Sequence, residues 1–271
     1  YNGGHYLGES LECLRTQTYR DFQVNIFDNA STDETNDIAS GFAERDARFK
    51  VIRRLETIPM GDNFTKAAED SDCDYFAWRA DDDLSAPDFV EHLVEALDSS
   101  PQADLAVCNI RTEKVYRNKT NIHPVFELPN GRLRQTIALM FGSHASWIYC
   151  MFRRDKIATR YKAAIDALPH VWATDHATLF PFFLDRAVAI TCRTEFIQRI
   201  GGDPSRSPYS PADSALEWEI YGAFYRFCAD HVDRSDFNPM ERRLLKVALV
   251  RYASKRTFRF QKMLWHKLSG H

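Results

Sequence analysis

Between Tyr6 and Ile110 the chain alternates between two periodicities. Leu7, Leu11 and Leu14 recur at helical spacing, and Val24, Ile26 and Phe27 then form a short apolar run that stops at Asp28-Asn29. Ser31-Thr32-Asp33-Glu34 has the form of a capping box, with Ile38, Ala39 and Phe42 as the stripe of the helix it would open. Phe49–Ile52 predicts a strand. A loop holding Pro59 and Gly61 leads to a short helix over Asn63–Glu69, and Cys73–Trp78 predicts a nearly continuous apolar strand running into Asp81-Asp82-Asp83. Ser85 as a cap and Pro87 as a first-turn residue open a helix buried through Phe89, Leu93 and Leu97, and Leu105–Ile110 predicts the next strand.

Strands apolar on both faces that alternate with amphipathic helices predict an α/β fold with a mostly parallel sheet covered on both faces. Such sheets bind ligands beyond the carboxyl ends of their strands. Two strands here end in clustered polar residues, at Asp28-Asn29 and at Asp81–Asp83. The second half is less regular: a loop over 117–130, a helix over 131–141, a strand over 145–152, a helix over 175–186 and a strand over 187–197. The Gly-, Pro- and Ser-rich stretch 201–212 predicts a mobile connection. Two helices follow, one with Leu216, Ile220, Phe224 and Phe227 on a single face, the other from about Glu241 to Leu268.

Composition narrows the classes. The 271 residues amount to just under two domains at about 150 each, long enough to fold without disulfides or metal. Hydrophobic residues at 44% and charged residues at 27% exclude disordered and fibrous chains. The net charge of −3 argues against a nucleic-acid partner, and no apolar run approaches the about 18 residues that span a bilayer. Six scattered cysteines without a CxxC pair read as reduced thiols of a cytoplasmic protein. The chain opens at Tyr1 with neither Met nor a targeting segment, so residues upstream are expected. One region stands apart in charge: 241–268 holds nine Lys/Arg against one acid, a local +8 that leaves −11 for the remainder. A basic amphipathic helix with Trp265 near its end has two readings, a segment lying on an anionic membrane surface or a helix packed on the acidic remainder.

The strongest chemical signal is Ala80-Asp81-Asp82-Asp83. Three adjacent carboxylates repel one another unless a cation lies among them, and Mg²⁺ or Mn²⁺ prefers such oxygens, completed by substrate phosphates. The bland alternative is a solvated acidic turn. Other phosphate signatures are absent: there is no GxGxxG after a strand, and Gly3–Ser10 mimics P-loop spacing with Glu9 where the Lys must stand.

Taken in order, Tyr1-Asn2-Gly3-Gly4, Gln17-Thr18-Tyr19-Arg20-Asp21-Phe22 and Asp28-Asn29-Ala30-Ser31-Thr32-Asp33 resemble the opening of the family 2 glycosyltransferases. Asp62-Asn63-Phe64, Asp74-Tyr75-Phe76-Ala77-Trp78 and Asp82-Asp83-Leu84-Ser85-Ala86-Pro87-Asp88-Phe89 continue the pattern, and Phe152-Arg153-Arg154-Asp155, Thr174-Asp175 and Gln198-Arg199 match later elements more loosely. The resemblance covers about residues 1–200. It implies a Rossmann-like GT-A domain over 1–200 that transfers a sugar with inversion, a hydrophobic strand upstream of Tyr1, and a helical C-terminal extension over 201–271. It also implies roles. Tyr1 and Asn2 would lie beside the nucleotide, and Asp28 and Asn29 would face the base and ribose; an Asn carbonyl can accept from a pyrimidine N3–H, so UDP- and dTDP-linked donors both fit. Asp82 would be the metal ligand of a DxD-type motif with Asp83 beside it, and Asp81 would substitute for a first Asp that here is Ala80. Arg199 would approach the diphosphate, although Gly201 stands where many members have His.

Asp175 matches the family's catalytic base, against the bland reading of an acid at a helix N-terminus. His176 beside it is expected to point elsewhere on the helix. His144 and Trp147 are candidates for the acceptor site. The expected reaction is metal-assisted transfer from a nucleotide-diphosphate sugar to a glycan or glycolipid precursor. Its rivals are a nucleotidyltransferase, which would want a Gly- and Lys/Arg-rich loop after the first strand, and an inactive nucleotide- or glycan-binding scaffold.

Overall fold

The computed structural model of the chain describes residues 1–201, 210–211 and 213–258. In chain order its helices and strands are α1 (Gly4–Arg15), β1 (Val24–Asp28), α2 (Thr35–Arg45), β2 (Phe49–Arg53), α3 (Met60–Glu69), β3 (Tyr75–Phe76), β4 (Leu84–Ser85) and α4 (Phe89–Asp98). The long β5 (Leu105–Lys114) is followed by β6 (Lys119–His123), α5 (Arg132–Gly142), a 3₁₀ turn at Ala145–Tyr149, β7 (Met151–Arg153), α6 (Arg154–Ala167), α7 (Thr174–Leu184) and β8 (Val188–Ile200). Two helices close the described chain, α8 (Ser214–Arg234) and α9 (Pro239–Arg256). Nearly all of the 201–212 connection, and the stretch of the expected last helix from residue 259 to 268, lie outside the described residues.

The α/β architecture is the expected one, with mixed rather than mostly parallel pairing. β1 and β2 pair in parallel, Val24 opposite Phe49. The larger sheet has the order β3-β7-β5-β8-β4, with β6 on β5. At its centre β5 and β8 run parallel from Leu105 opposite Val188, while the flanking pairs β3–β7, β4–β8, β5–β6 and β5–β7 are antiparallel. Of these, only β5–β6 is a hairpin with a short connection; the other antiparallel pairs join strands distant in sequence. The register of β5 on β8 shifts between Val107 and Asn109, and Asn109 fills the gap by donating Nδ2 to the carbonyls of Cys192 and Thr194 at 3.0 and 3.3 Å.

Several local expectations change. The 117–130 loop contains β6, a hairpin partner of β5. The 145–152 strand is instead a 3₁₀ turn capped by His144, with only Met151–Arg153 extended, and of Cys73–Trp78 only Tyr75–Phe76 pairs. Ser85 is part of β4, and Asp88 occupies the N-cap of α4. The Ser31–Glu34 run makes no side-chain cap for α2; its hydroxyl and carboxylate groups hold the start of the chain instead.

One hydrophobic core joins the sheet to the C-terminal helices. Leu105, Ala106 and Val107 of β5 and Phe180, Phe182 and Phe183 of α7 share it with Phe224 of α8 and Leu245, Leu249 and Tyr252 of α9. A second, smaller cluster of Leu7, Leu11, Leu14, Ala39, Phe42 and Phe49 packs α1 and α2 on the two-stranded sheet. The stripe expected on the last helix therefore divides: Leu245, Leu249 and Tyr252 face inward, while Leu244 is exposed beside Met240, Val247 and Val250.

α9 starts on a complete capping box, with Asn238 accepting from Glu241 N–H at 2.9 Å and Glu241 accepting from Asn238 N–H at 3.1 Å, and with Pro239 in the first turn. Asn238→Ala leaves the Met240 and Glu241 amides without the Oδ1 they share and should lower unfolding free energy by about 1 kcal/mol. Urea denaturation, read as a lower midpoint at unchanged slope, checks this.

Candidate active site

The acidic turn is positioned by strand register. Leu84 pairs with Ile197, which carries Arg199 alongside Asp82 and Asp83. Arg199 then holds the turn three ways: its N–H donates to Asp83 Oδ1 at 2.9 Å, its Nε donates to the Asp82 carbonyl, and its Nη1 pairs with Glu9. The Tyr6 ring lies 4.8 Å beneath the guanidinium. α1 supports the other side through Ser10, which donates to the Ala80 carbonyl at 3.2 Å. Gln17 bridges the Ala86 carbonyl and the Val90 N–H at 2.9 and 3.1 Å.

Within this turn the three aspartates differ. Asp81 is exposed, Asp82 half-buried and Asp83 buried. Burial, then the neighbouring Asp81 charge, pushes Asp82 up; burial, then Asp82, pushes Asp83 up to about 7. Asp83, expected beside Asp82 as a metal ligand, is buried and accepts from the Arg199 amide through one of its oxygens. Asp82 and Asp81 form the more accessible pair. Among the described residues no three acids, histidines or cysteines converge on a metal-sized point, so any cation here would depend on phosphate oxygens for the rest of its shell. Two adjacent carboxylates that repel one another are nonetheless a donor set that a hard divalent cation suits.

The nucleotide-side candidates are mostly bound to the protein itself. Asn2 has φ +53; its N–H donates to Ser31 Oγ and its Oδ1 accepts from Thr32 N–H, each at 2.9 Å. Gly3 and Gly4 donate to Thr35 Oγ1 and Asp33 Oδ2 at 2.9 and 3.1 Å. A side chain at Gly3 would meet Asp81 Oδ2 at 1.8 Å, so the missing side chain there lets the acidic turn approach the chain start. Tyr1 is exposed. Asp28 is buried, accepting from Ser31 N–H at 3.0 Å, with Arg53 3.5 Å from its other oxygen. Asn29 differs from its expected role: its amide pairs twice with the backbone of Ile58, at 2.8 and 3.0 Å, so it tethers the 54–59 loop instead of presenting both groups to a base.

Asp175 stands in the first turn of α7, in the wall of a cavity of about 510 Å³. Ala173, just before the helix, has φ +68, a left-handed conformation that costs a non-glycine residue about 1–2 kcal/mol and recurs at functional turns. His176 lines the same cavity, contrary to the expectation that it points away, and its buried Nδ1 has no hydrogen-bond partner. Met60, Phe64, Tyr149 and Tyr161 supply apolar and phenolic wall, and Trp172 completes it. Burial foremost, then the carboxylates of Asp83, Asp175 and Asp82, raise the Tyr149 phenol, which lines the cavity beside Asp175.

Neither acceptor candidate lines this cavity. Trp147 is 2% exposed and packs between Phe126 and Phe183, so that expectation is corrected: it is core. His144 caps the 3₁₀ turn, accepting from Ser146 N–H at 3.1 Å, beside the His123 ring. Burial foremost holds it down to about 4, so it is a neutral imidazole. Trp172 is the tryptophan that sequence reasoning missed, and its place two residues before Thr174-Asp175 was the available signal.

Residues 1–160 match the model for Glycosyl transferase family 2. The chain belongs to that family. EpsH of Bacillus subtilis (strain 168), named as a glycosyltransferase, is 32% identical over 120 residues, 44% of this chain and 34% of EpsH. RT0329 of Rickettsia typhi, an uncharacterized glycosyltransferase, is 26% identical over 107 residues, 40% of this chain and 32% of the relative. The chain thus spans about a third of the length of these curated relatives. Among solved structures, TarS 1–349 of S. aureus in complex with UDP-GlcNAc has a TM-score of 0.65 at 16% identity, over 94% of this chain and 70% of that one. The mannosyltransferase PcManGT of Pyrobaculum calidifontis in complex with GDP-Man and Mn²⁺ has a TM-score of 0.54 at 14% identity, over 94% and 71%. At these identities the likeness is one of fold, the α/β GT-A fold with its helical C-terminal region.

In this family 2 domain the Asp175 carboxyl is raised by burial, against which the His176 N–H bond (2.7 Å) and then Arg256 act. A folded-state value above the unfolded one means that the native state binds the proton more tightly, so stability falls as pH rises between the two values. Asp175→Asn keeps an oxygen for the His176 amide and removes the buried charge. It should therefore melt higher than the wild type at neutral and alkaline pH, the gap closing as pH drops below the unfolded-state value of 3.8. Thermal melts across pH check the sign.

Proposed function

We propose that the protein is an inverting glycosyltransferase that moves a sugar from a nucleotide-diphosphate donor to a hydroxyl of a glycan or lipid-linked acceptor. The observation that carries this reading is the cavity walled by Asp175 and Tyr149, whose phenol also feels the charges of Asp82 and Asp83 in the acidic turn. An acceptor hydroxyl entering it would lose its proton to Asp175 while its oxygen attacks the anomeric carbon from the side opposite the leaving diphosphate. Trp172, with an apolar face and its N–H already tied to the Thr257 carbonyl at 3.3 Å, suits packing against a sugar ring.

Asp82, with Asp81 beside it, would hold the divalent cation, Mn²⁺ or Mg²⁺, and such an ion would neutralise charge on the leaving diphosphate. Arg199 fixes the turn that presents these carboxylates. A UDP- or dTDP-linked donor remains the favoured class, and the UDP-GlcNAc held by TarS supports the first. The nucleotidyltransferase alternative finds no basic loop after β1, where the polar residues of 28–35 bind the chain start instead.

The test is a thermal-shift panel of UDP, dTDP and GDP with and without Mn²⁺. A nucleotide at about 100 times its Kd adds about 2.7 kcal/mol. Asp82→Asn should lose the Mn²⁺-dependent shift with its melting temperature otherwise intact. Asp175→Asn should keep the shift and lose about 10²–10⁴-fold in turnover. Binding with no turnover of any donor by the wild type would leave a scaffold.

The partner surface is a finer part of the same proposal. The outer face of α9 exposes Met240, Leu244, Val247 and Val250 among Arg243 and Arg251. No helix among the described residues is long and apolar enough to cross a membrane, but an apolar stripe flanked by arginines suits shallow contact with an anionic lipid surface beside a lipid-linked acceptor. Co-sedimentation with phosphatidylglycerol vesicles should show binding that falls with salt and is lost in Leu244→Glu/Val247→Glu. Indifference to vesicles would restrict the helix to packing.

A further inference from the structure

The last turn of α9, beyond the residues matched by the family model, forms part of the cavity wall. Lys255, Arg256 and Thr257 line it together with Asp175 and His176. Arg256 is clamped: its Nη2 donates to the carbonyls of Met140 and Ser143 at 2.7 and 2.8 Å and contacts Ser143 Oγ at 3.0 Å. Lys255 donates to the Phe141 carbonyl at 2.7 Å. These oxygens belong to the C-terminal end of α5, where carbonyls lack helical partners and the helix dipole favours cations. On the other wall, Trp172 donates to the Thr257 carbonyl and stacks on Phe258 at 5.5 Å. The end of α9 is thus pinned to two different walls of the cavity.

We propose that Arg256 is the positioning residue of this site: clamped on α5, its fixed positive charge keeps Asp175 an ionised carboxylate able to accept a proton. The inference rests on the reading of Asp175 as base.

The groups around Asp175 make Arg256 the relevant charge. From the 3₁₀ turn, α6 and α9 come Tyr149, Tyr161 and Tyr252, which burial raises and so keeps neutral. His176 of α7 and the nearby His144 are held down by burial and carry no charge near neutrality. Asp82, Asp83 and Asp175 each bear on the Tyr149 phenol. Among the lining residues that leaves Lys255 and Arg256 as the cations, and Arg256 is the more deeply placed. Arg256 and Asp175 share the wall of one cavity, and their charges act on one another across it. Without Arg256, the His176 N–H and the backbone of Asp175 alone would oppose the burial that favours the protonated acid, which cannot act as a base.

Carbon-13 NMR of protein labelled at the aspartate carboxyls reads this directly and needs no substrate. The Asp175 signal is assigned by its loss in Asp175→Asn. In Arg256→Gln the Asp175 titration midpoint should move to higher pH than in the wild type. Arg256→Lys, which keeps the charge but not the planar fork, should return it toward the wild-type value. Coincident midpoints in wild type and Arg256→Gln would overturn the inference, as would failure of both variants to fold, since Arg256 would then be a structural clamp alone. The two readings fail differently. A base elsewhere shows as an Asp175→Asn variant that keeps turnover although the midpoint moves, whereas failure here shows as an unmoved midpoint with Asp175→Asn inactive.

Discussion

With Asp175 as the proposed base, the constraint on which the site depends is that this carboxyl must be both poorly solvated and charged. Water around a carboxylate lowers its basicity, and removing that water favours its protonated form. The fold handles the conflict with fixed groups: a helix N-terminus, the His176 N–H at 2.7 Å, and a guanidinium clamped on the far wall. The left-handed Ala173 belongs to the same arrangement, because the turn it makes starts α7 where its first acid faces the cavity. Strain and buried charge gathered at one place are what stability selection alone would remove.

The acidic turn solves a second version of that problem. Asp82 and Asp83 repel one another and Asp81, yet β4 is only two residues long and could not hold them by its ladder alone. Arg199 does so from the neighbouring strand, and its bonds to one backbone carbonyl and one carboxylate fix the turn while leaving the carboxylates of Asp81 and the half-buried Asp82 without a direct bond to it. Glu9 and Tyr6 in turn fix Arg199, so α1 is coupled to the acidic turn. This explains why the P-loop-like spacing of Gly3–Ser10 carries no Lys. Glu9 is there to bind an arginine, and Gly3 is there because Asp81 leaves no room for a side chain.

How much of the molecule could be read from the sequence depends on the range of the interactions involved. α1, β1, α2 and α7 were legible because each carries a long apolar stripe or a run ended by polar residues. The hairpin β5–β6 was not, since Lys119–His123 alternates no apolar residues and is held by its ladder. Polar clusters at strand ends were located correctly but their partners were not. Ser31 and Asp33 look like helix caps locally, and only the fold brings Asn2–Gly4 close enough to use them. Asn29 likewise looks free to meet a base until the 54–59 loop folds back and occupies its amide. Trp147 and Trp172 are indistinguishable by composition; burial by Phe126 and Phe183 separates them.

The boundary between the matched family domain and the segments C-terminal to it has a physical meaning. Residues 1–160 supply the acidic turn and most of its supports, the parts that any diphosphate donor would need. The cavity is then completed by 171–176 and by 255–257, from segments that the family model does not reach. On the proposed reading this cavity takes the acceptor, and because acceptors vary more widely in shape than a donor's nucleotide and phosphates, such a wall can diverge without disturbing the acidic turn. α9 can serve that wall because its inner stripe is part of the main core and its last turn is tied to α5. A helix held only at its surface could not keep a guanidinium fixed relative to Asp175, and an electrostatic effect that depends on a fixed distance would average away.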